Sequence, residues 1–162
     1  MDLRHVLLSA MVGCTLALSA CDYDVPITTS PTRPVDARLL GDWWLLAVEK
    51  DQREPHLEHM KIRRFDDSNY SISYQGDLYR AYHSDVAGLP LVSAQNIEDK
   101  DRKYLYFAWQ LSGDGKRLTL RRVSTDVIPK ATTDAATIVK QIENSRNNPQ
   151  LFHESVEYTR VP

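Results

Sequence analysis

The sequence predicts a mainly β fold, an antiparallel up-and-down β-barrel with one late α-helix before the final strand. Three observations carry this. From about residue 38 onward, short segments alternate apolar and polar side chains with a period of two. Turn-prone Gly, Asp, Asn and Ser clusters separate them at hairpin spacing. The apolar period changes once, near the C-terminal end, to that of a helix. A meander of this kind favours closure, because an open sheet leaves hydrogen-bonding edges exposed.

The elements follow in order. Arg38 to Val48 opens the domain, apolar on both alternating faces as in a strand covered on both sides. Ile62 to Phe65 is a short second strand, stopped by Asp66-Asp67-Ser68-Asn69. Tyr70, Ile72 and Tyr74 alternate with Ser71, Ser73 and Gln75. Gln75-Gly76-Asp77 turns the chain into Leu78 to His83, and Leu91 to Ile97 follows a loop with Gly88 and Pro90. In Tyr104 to Leu111, the residues Leu105, Phe107, Trp109 and Leu111 share one face. Ser112-Gly113-Asp114-Gly115 is a hairpin signal before Leu118 to Val123. Ala135, Ile138, Val139 and Ile142 then fall on one helical face, with Thr132, Thr133 or Asp134 as N-cap and Asn147-Asn148-Pro149 as the stop. Val156 and Tyr158 alternate with Ser155, Glu157 and Thr159 in a last strand.

Composition bounds the function. The chain has 162 residues, enough for one domain or one domain with a tail. Its 20 Lys and Arg against 22 Asp and Glu leave a net charge of -2, which argues against nucleic-acid binding. Two cysteines exclude a disulfide-stapled miniprotein and a four-Cys zinc site.

Residues 1–20 read as an export signal. Arg4 and His5 precede an uncharged, apolar or small run from Val6 to Ala20, too short to span a bilayer comfortably. Leu18-Ser19-Ala20-Cys21 resembles the lipobox of bacterial lipoproteins. That resemblance implies cleavage before Cys21 and acylation of Cys21, with Cys14 lost alongside the signal. Arg4 and Asp2 leave together, so the net charge stays at -2. The family's three acyl chains exceed the two signals that suffice for stable anchoring. The expected address is the bacterial envelope, facing the periplasm and held by the acylated N-terminus. Asp22 resembles the inner-membrane retention signal of enteric bacteria, although sorting rules differ and either membrane stays open. Residues 21–37 carry Pro26, Pro31 and Pro34 among threonines, with no apolar period, and read as an extended, lipidated tether to a domain over 38–162.

Gly41-Asp42-Trp43 is similar to the G-x-W signature of lipocalins, and the order of meander, helix and final strand resembles that family. The resemblance implies that Trp43 closes one end of the barrel, with an arginine from a late strand packed across it. Arg121 or Arg122, on the last strand before the helix, are the candidates. The family's T-D-Y motif is missing, since Val127 follows Ser124-Thr125-Asp126.

Candidate chemistry is sparse. His56-Leu57-Glu58-His59 brings two imidazoles together only as a helical turn, with Glu58 or Glu54 as further ligand, and reads better as a charged loop. His83-Ser84-Asp85 holds triad residue types, but sequence neighbours rarely converge as a triad. No nucleophile elbow or phosphate loop is present. Residues 98–103 read as a solvated hairpin turn, and Lys61, Arg63, Arg64, Arg121 and Arg122 as isolated surface charges or one basic patch. No catalysis, metal or cofactor is expected.

Tyrosine is the unusual residue, with 8 in the chain. Tyr70, Tyr74, Tyr82, Tyr104 and Tyr106 line a ligand pocket or cover the outside, depending on which face closes inward. The functional expectation is a membrane-anchored, non-enzymatic lipoprotein binding a small apolar or amphipathic molecule. The alternative is an envelope interaction or assembly protein whose barrel is solid.

Overall fold

The computed structural model describes residues 23–47 and 56–162. The expected signal peptide, residues 1–20, and the expected lipidation site, Cys21, lie outside the described residues. Eight strands form a closed antiparallel barrel in sequence order: β1 (Gly41–Ala47), β2 (His56–Arg64), β3 (Tyr70–Tyr74), β4 (Asp77–His83), β5 (Leu91–Asn96), β6 (Tyr104–Leu111), β7 (Arg117–Val123) and β8 (Phe152–Arg160). Helix α1 (Ala135–Ser145) stands between β7 and β8. Asp134 caps it, accepting from the backbone N–H groups of Ala136 and Thr137. The last strand pairs with the first through Trp43↔Arg160 and Trp44↔Thr159, which removes both sheet edges.

The second strand is longer than its apolar run suggests. His56 to His59 belong to β2, because Gly41–Ala47 supplies a partner for every residue from His56 to Ile62. The backbone from His56 to His59 is extended, so the helical turn that the two-imidazole reading required does not form. His59 stacks on Trp44 outside the barrel at 4.2 Å between ring centroids, and its Nε2 lies 2.9 Å from Asp42 Oδ1. Arg63 donates to the other Asp42 oxygen at 2.6 Å. That guanidinium, with His59 as a lesser contributor, holds the Asp42 carboxyl below its usual range.

Two apolar cores result, one inside the barrel and one against its wall. The inner core contains Trp43, Met60, Ile62, Tyr70, Ile72, Val92, Trp109, Leu118 and Tyr158. The outer core joins Leu91, Tyr106, Ala108 and Val123 of the wall to Ile138 and Ile142 of α1. It also takes in Tyr23 and Ile27, so the segment expected to be a free tether is a strap bound to the barrel.

Hydrogen bonds fix the strap along its length. Tyr23 exchanges both backbone bonds with Tyr104, each 2.8 Å. The Ile27 N–H donates to Ser93 Oγ at 3.0 Å, and the Thr32 N–H to the His83 carbonyl at 2.9 Å. The Val35 N–H donates to Asp67 O at 2.9 Å. The strap thus runs from one end of the barrel to the other. It finishes in a 3-10 turn, Ala37–Leu39, whose buried Leu39 plugs the end beneath Trp43. The prolines permit this extended course, and the few large apolar side chains between them secure it.

Candidate functional site

The two ends of the barrel differ. At one end, the turns 65–69 and 112–116 and the loop 84–90 surround a filled interior. Trp43 is fully buried there, and its Nε1–H donates to the Leu39 carbonyl at 3.0 Å. Tyr70, His83, Phe107 and Trp109 form an edge-to-face aromatic cluster above it, with centroid separations of 5.0 to 5.6 Å.

The arginine over Trp43 is Arg160, with Cζ 4.3 Å from the ring centroid. Neither Arg121 nor Arg122 takes that place. β7 is separated from β1 by β8, so the strand before the helix is not the one that meets Trp43. Arg121 faces outward over Phe152, 4.6 Å from its centroid, and Arg122 faces inward at the opposite end. The alternation Val156, Tyr158, Arg160 was the available signal, because it puts Arg160 on the inward face of the closing strand.

Toward the other end, beside the 75–76 turn and the 97–103 loop, the interior is hollow. Among the described residues, a cavity of about 200 Å³ lies open there. Its walls are mostly apolar: Met60, Ile72, Ala94, Leu105, Phe107, Leu120 and Val156. Tyr74, Tyr79, Tyr158 and Arg122 supply the polar groups. Tyr74 donates its hydroxyl hydrogen to Glu58 in a short bond, and its ring meets Tyr158 edge-on at 6.5 Å. Burial, reinforced by the Glu58 carboxylate and the Tyr158 hydroxyl, pushes the Tyr74 hydroxyl far above its ordinary range. Burial likewise raises Tyr158. Both phenols therefore stay neutral at physiological pH and serve as hydrogen-bonding groups.

Of the five tyrosines predicted for a pocket, only Tyr74 lines the cavity. Tyr70 points inward but lies at the filled end, fully buried. Its oxygen accepts from the Asp36 N–H at 2.7 Å and shares a hydrogen bond of 3.0 Å with His83 Nε2. Tyr82, Tyr104 and Tyr106 stand on the outer face because their strands put them in opposite parity to the inward residues Ala81, Leu105 and Phe107. There they receive the strap. Tyr82 donates to the Thr28 carbonyl at 2.6 Å and Tyr106 to the Val25 carbonyl. The Tyr23 ring stacks on Tyr106 at 3.8 Å. Burial pushes the Tyr82 hydroxyl up to about 12 and raises Tyr104 and Tyr106 as well. Tyr79 and Tyr158 do line the cavity, and both sit in the period-two alternation of their strands.

The basic residues form no single patch. Arg63 pairs with Asp42 and Arg64 with Asp67, while Arg121 and Arg122 stand three strands away on β7. Among the described residues, no group of three or more His, Cys, Asp or Glu side chains is placed to hold a metal ion. Among them, too, no helix is long and apolar enough to cross a membrane. Comparison with protein-family models, curated proteins and solved structures gives no significant match.

Proposed function

We propose that this chain is a membrane-anchored envelope lipoprotein whose barrel binds a small apolar or amphipathic molecule, in the manner its resemblance to lipocalins implies. The observation that carries the reading is the one-sided cavity. A barrel serving only as a rigid surface has no need of a hollow half, and interiors normally pack to high density. Here the described residues leave the hollow half open, and Val156 in its wall is 38% exposed.

The cavity limits the ligand. About 200 Å³ is small for a ligand pocket, yet a dry apolar cavity of ~150 Å³ accommodates benzene. One ring system, or the end of one acyl chain, fits wholly within that space, and a longer molecule such as a two-ring amine seats one ring and extends the other through the mouth. The apolar wall supplies the binding energy, roughly 25 cal/mol for each Å² withdrawn from water. Arg122 and the Tyr74 and Tyr158 hydroxyls supply directional bonds to a polar end group.

The test is titration of the purified domain with the apolar fluorophore N-phenyl-1-naphthylamine. Saturable enhancement at one site is expected, and Leu120→Trp, which fills the cavity, abolishes it while the domain stays folded. Absence of saturable enhancement, together with no added mass in native mass spectrometry of protein taken from its own envelope, would defeat the reading.

A further inference from the structure

We infer that the outer wall carries a second binding site, a pocket for the phosphate group of a small molecule, where α1 runs into β8. The inference stands apart from the lipid anchor and from the barrel cavity.

The pocket lies where the loop after α1, the end of β7, the start of β8 and the 84–90 loop meet. Its volume of about 350 Å³ falls within the ~300–1,000 Å³ of small-molecule sites. Local backbone geometry aims its side chains. Arg121 pairs with Ser155 and Val123 with Phe152, so between these pairs one residue of β7 opposes two of β8. That bulge lets Phe152 share the outer face with Ser155 and Arg121. The loop after the helix is pinned. The Asn148 N–H donates to the Ser145 carbonyl at 2.8 Å, and the Leu151 N–H to the Asn148 carbonyl at 3.1 Å. The Ser124 N–H donates to the carbonyl of buried Leu151 at 2.8 Å. A pocket held in this way loses little freedom when it is filled.

Charge and hydrogen bonding say what fills it. Arg121, which joins no patch with Arg63 and Arg64, lines the pocket together with Arg146 and His153. No described residue of the lining is acidic. Other arginines of the surface meet carboxylates: Arg33 with Asp85, Arg63 with Asp42, Arg80 with Asp66 and Arg117 with Glu157. Among the described residues, Arg121, Arg146 and His153 meet none.

Two local roles leave this charge in place. Arg121 lays the face of its guanidinium over Phe152, 4.6 Å from the ring centroid, which keeps the N–H groups at its edge available. Arg146 caps the C-terminus of α1, where a cation is favoured, and its side chain makes no hydrogen bond among the described residues. Asn148 adds donors. Its Oδ1 accepts from the Gln150 N–H at 2.9 Å, which leaves its amide NH2 group for a ligand.

Two guanidinium forks, an imidazole and an amide thus surround one space with hydrogen-bond donors. A carboxylate brings two oxygens and a single charge to such a set. A phosphate monoester brings three oxygens and a charge of roughly -1.5 to -2, and so satisfies more of it. Leu89 and Phe152 supply an apolar side against which the remainder of the ester can rest.

The experiment titrates the full chain with phenyl phosphate by calorimetry, in uncharged micelles of dodecyl maltoside. Saturable binding at one site is expected. Arg146→Gln and Arg121→Gln should each weaken it about tenfold, the loss that follows removal of one hydrogen bond to a charged group. Lys116→Gln removes the same charge from the β6–β7 turn and should leave binding unchanged. Arg146 is exposed, so Arg146→Gln should keep the natural melting temperature, and it decides the matter if Arg121→Gln disturbs the stacking on Phe152. Leu120→Trp, which fills the barrel cavity, should also leave phosphate binding unchanged. Mixed micelles containing phosphatidic acid separate the sources of phosphate: competition assigns the site to a lipid headgroup, and lack of competition to a soluble ester. No saturable binding, or equal weakening by Lys116→Gln and Arg146→Gln, would overturn the site. Binding that Leu120→Trp abolishes and Arg146→Gln spares would overturn it as well, by placing the probe inside the barrel.

Discussion

Arg160 lies directly across the β1–β8 seam from Trp43 and lays its guanidinium over the indole, 4.3 Å from Cζ to the ring centroid. Its donors also reach three backbone carbonyls: Gly115 through Nε and Leu40 through Nη1, each 2.8 Å, and Arg38. One side chain thereby ties the first strand, the β6–β7 turn and the 3-10 turn together at the filled end of the barrel. Trp43→Ala should cost about 3–5 kcal/mol in urea unfolding, from lost apolar contact and the cavity left behind. A double-mutant cycle of Trp43→Ala with Arg160→Ala should show coupling of ~0.5–2 kcal/mol. The same cycle with Arg121→Ala should show none. Arg160→Lys should behave more like Arg160→Ala than like the natural residue, because an ammonium lacks the planar fork that serves several acceptors.

Gly41 explains the first position of the G-x-W triplet. A Cβ built there would lie 2.5 Å from Arg160 Nη1, and the backbone stands at φ +148°. Gly41→Ala should therefore destabilise the domain by roughly 1–3 kcal/mol, through displacement of the guanidinium and backbone strain. In an Arg160→Ala background the clash disappears and the strain remains, so the penalty should shrink without vanishing. Equal penalties in both backgrounds, measured by urea unfolding, would disprove the contact.

Removing the strap should be costly. Burial of Tyr23 and Ile27 contributes on the order of 1.5–3 kcal/mol each, before the hydrogen bonds are considered. A chain beginning at Val35 should melt roughly 6–24 °C below one beginning at Asp22, at some 2–4 °C per kcal/mol for a domain of this size. Equal melting temperatures would show that the segment is a tether after all.

Acid should weaken the domain through His83. The ring is 3% exposed, and burial, with the Arg33 charge adding to it, lowers its pKa from 6.5 to about 4. The folded state therefore binds fewer protons than the unfolded state between those values. Stability from this group is fully present above about pH 6.5 and falls as pH drops toward 4, by about 3 kcal/mol in all. Urea unfolding between pH 4 and 7.5 should show that slope, and His83→Gln should flatten it. A His83→Gln profile with the natural slope would assign the loss to other groups.

Lipidation is testable without the structure. Cys21→Ser should shift the protein from the membrane fraction to the soluble periplasm, or leave an unprocessed precursor. Membrane association and mature size that do not change would sink the anchor reading.

The element order was legible in the sequence because it depends on near neighbours. Ser71 and Ser73 alternating with Tyr70, Ile72 and Tyr74 mark a strand, Ser112-Gly113-Asp114-Gly115 marks a hairpin, and Asp134 marks a helix start. His56 to His59 were misread because β2 extends there through pairing with β1, without an apolar run of its own. Alternation likewise sorts Tyr79 from Tyr82, and Tyr104 and Tyr106 from Leu105 and Phe107. It does not say which set closes inward, since both faces carry aromatic side chains.

The remaining features were decided by closure of the ring and by what the outer wall could hold. Arg160 meets Trp43 only because the last strand pairs with the first, a contact between residues far apart in sequence. Residues 23–36 look like a leash because prolines and threonines dominate them and their apolar residues follow no period. Val25 offers a carbonyl, and Tyr23 and Ile27 offer apolar side chains, to a wall of matching chemistry that exists only once β4, β5 and β6 are side by side. Sequence alone determines where strands, turns and the helix form, because those depend on local backbone preference and side-chain period. The contents of the barrel and the covering of its wall depend on contacts that arise only in the closed fold.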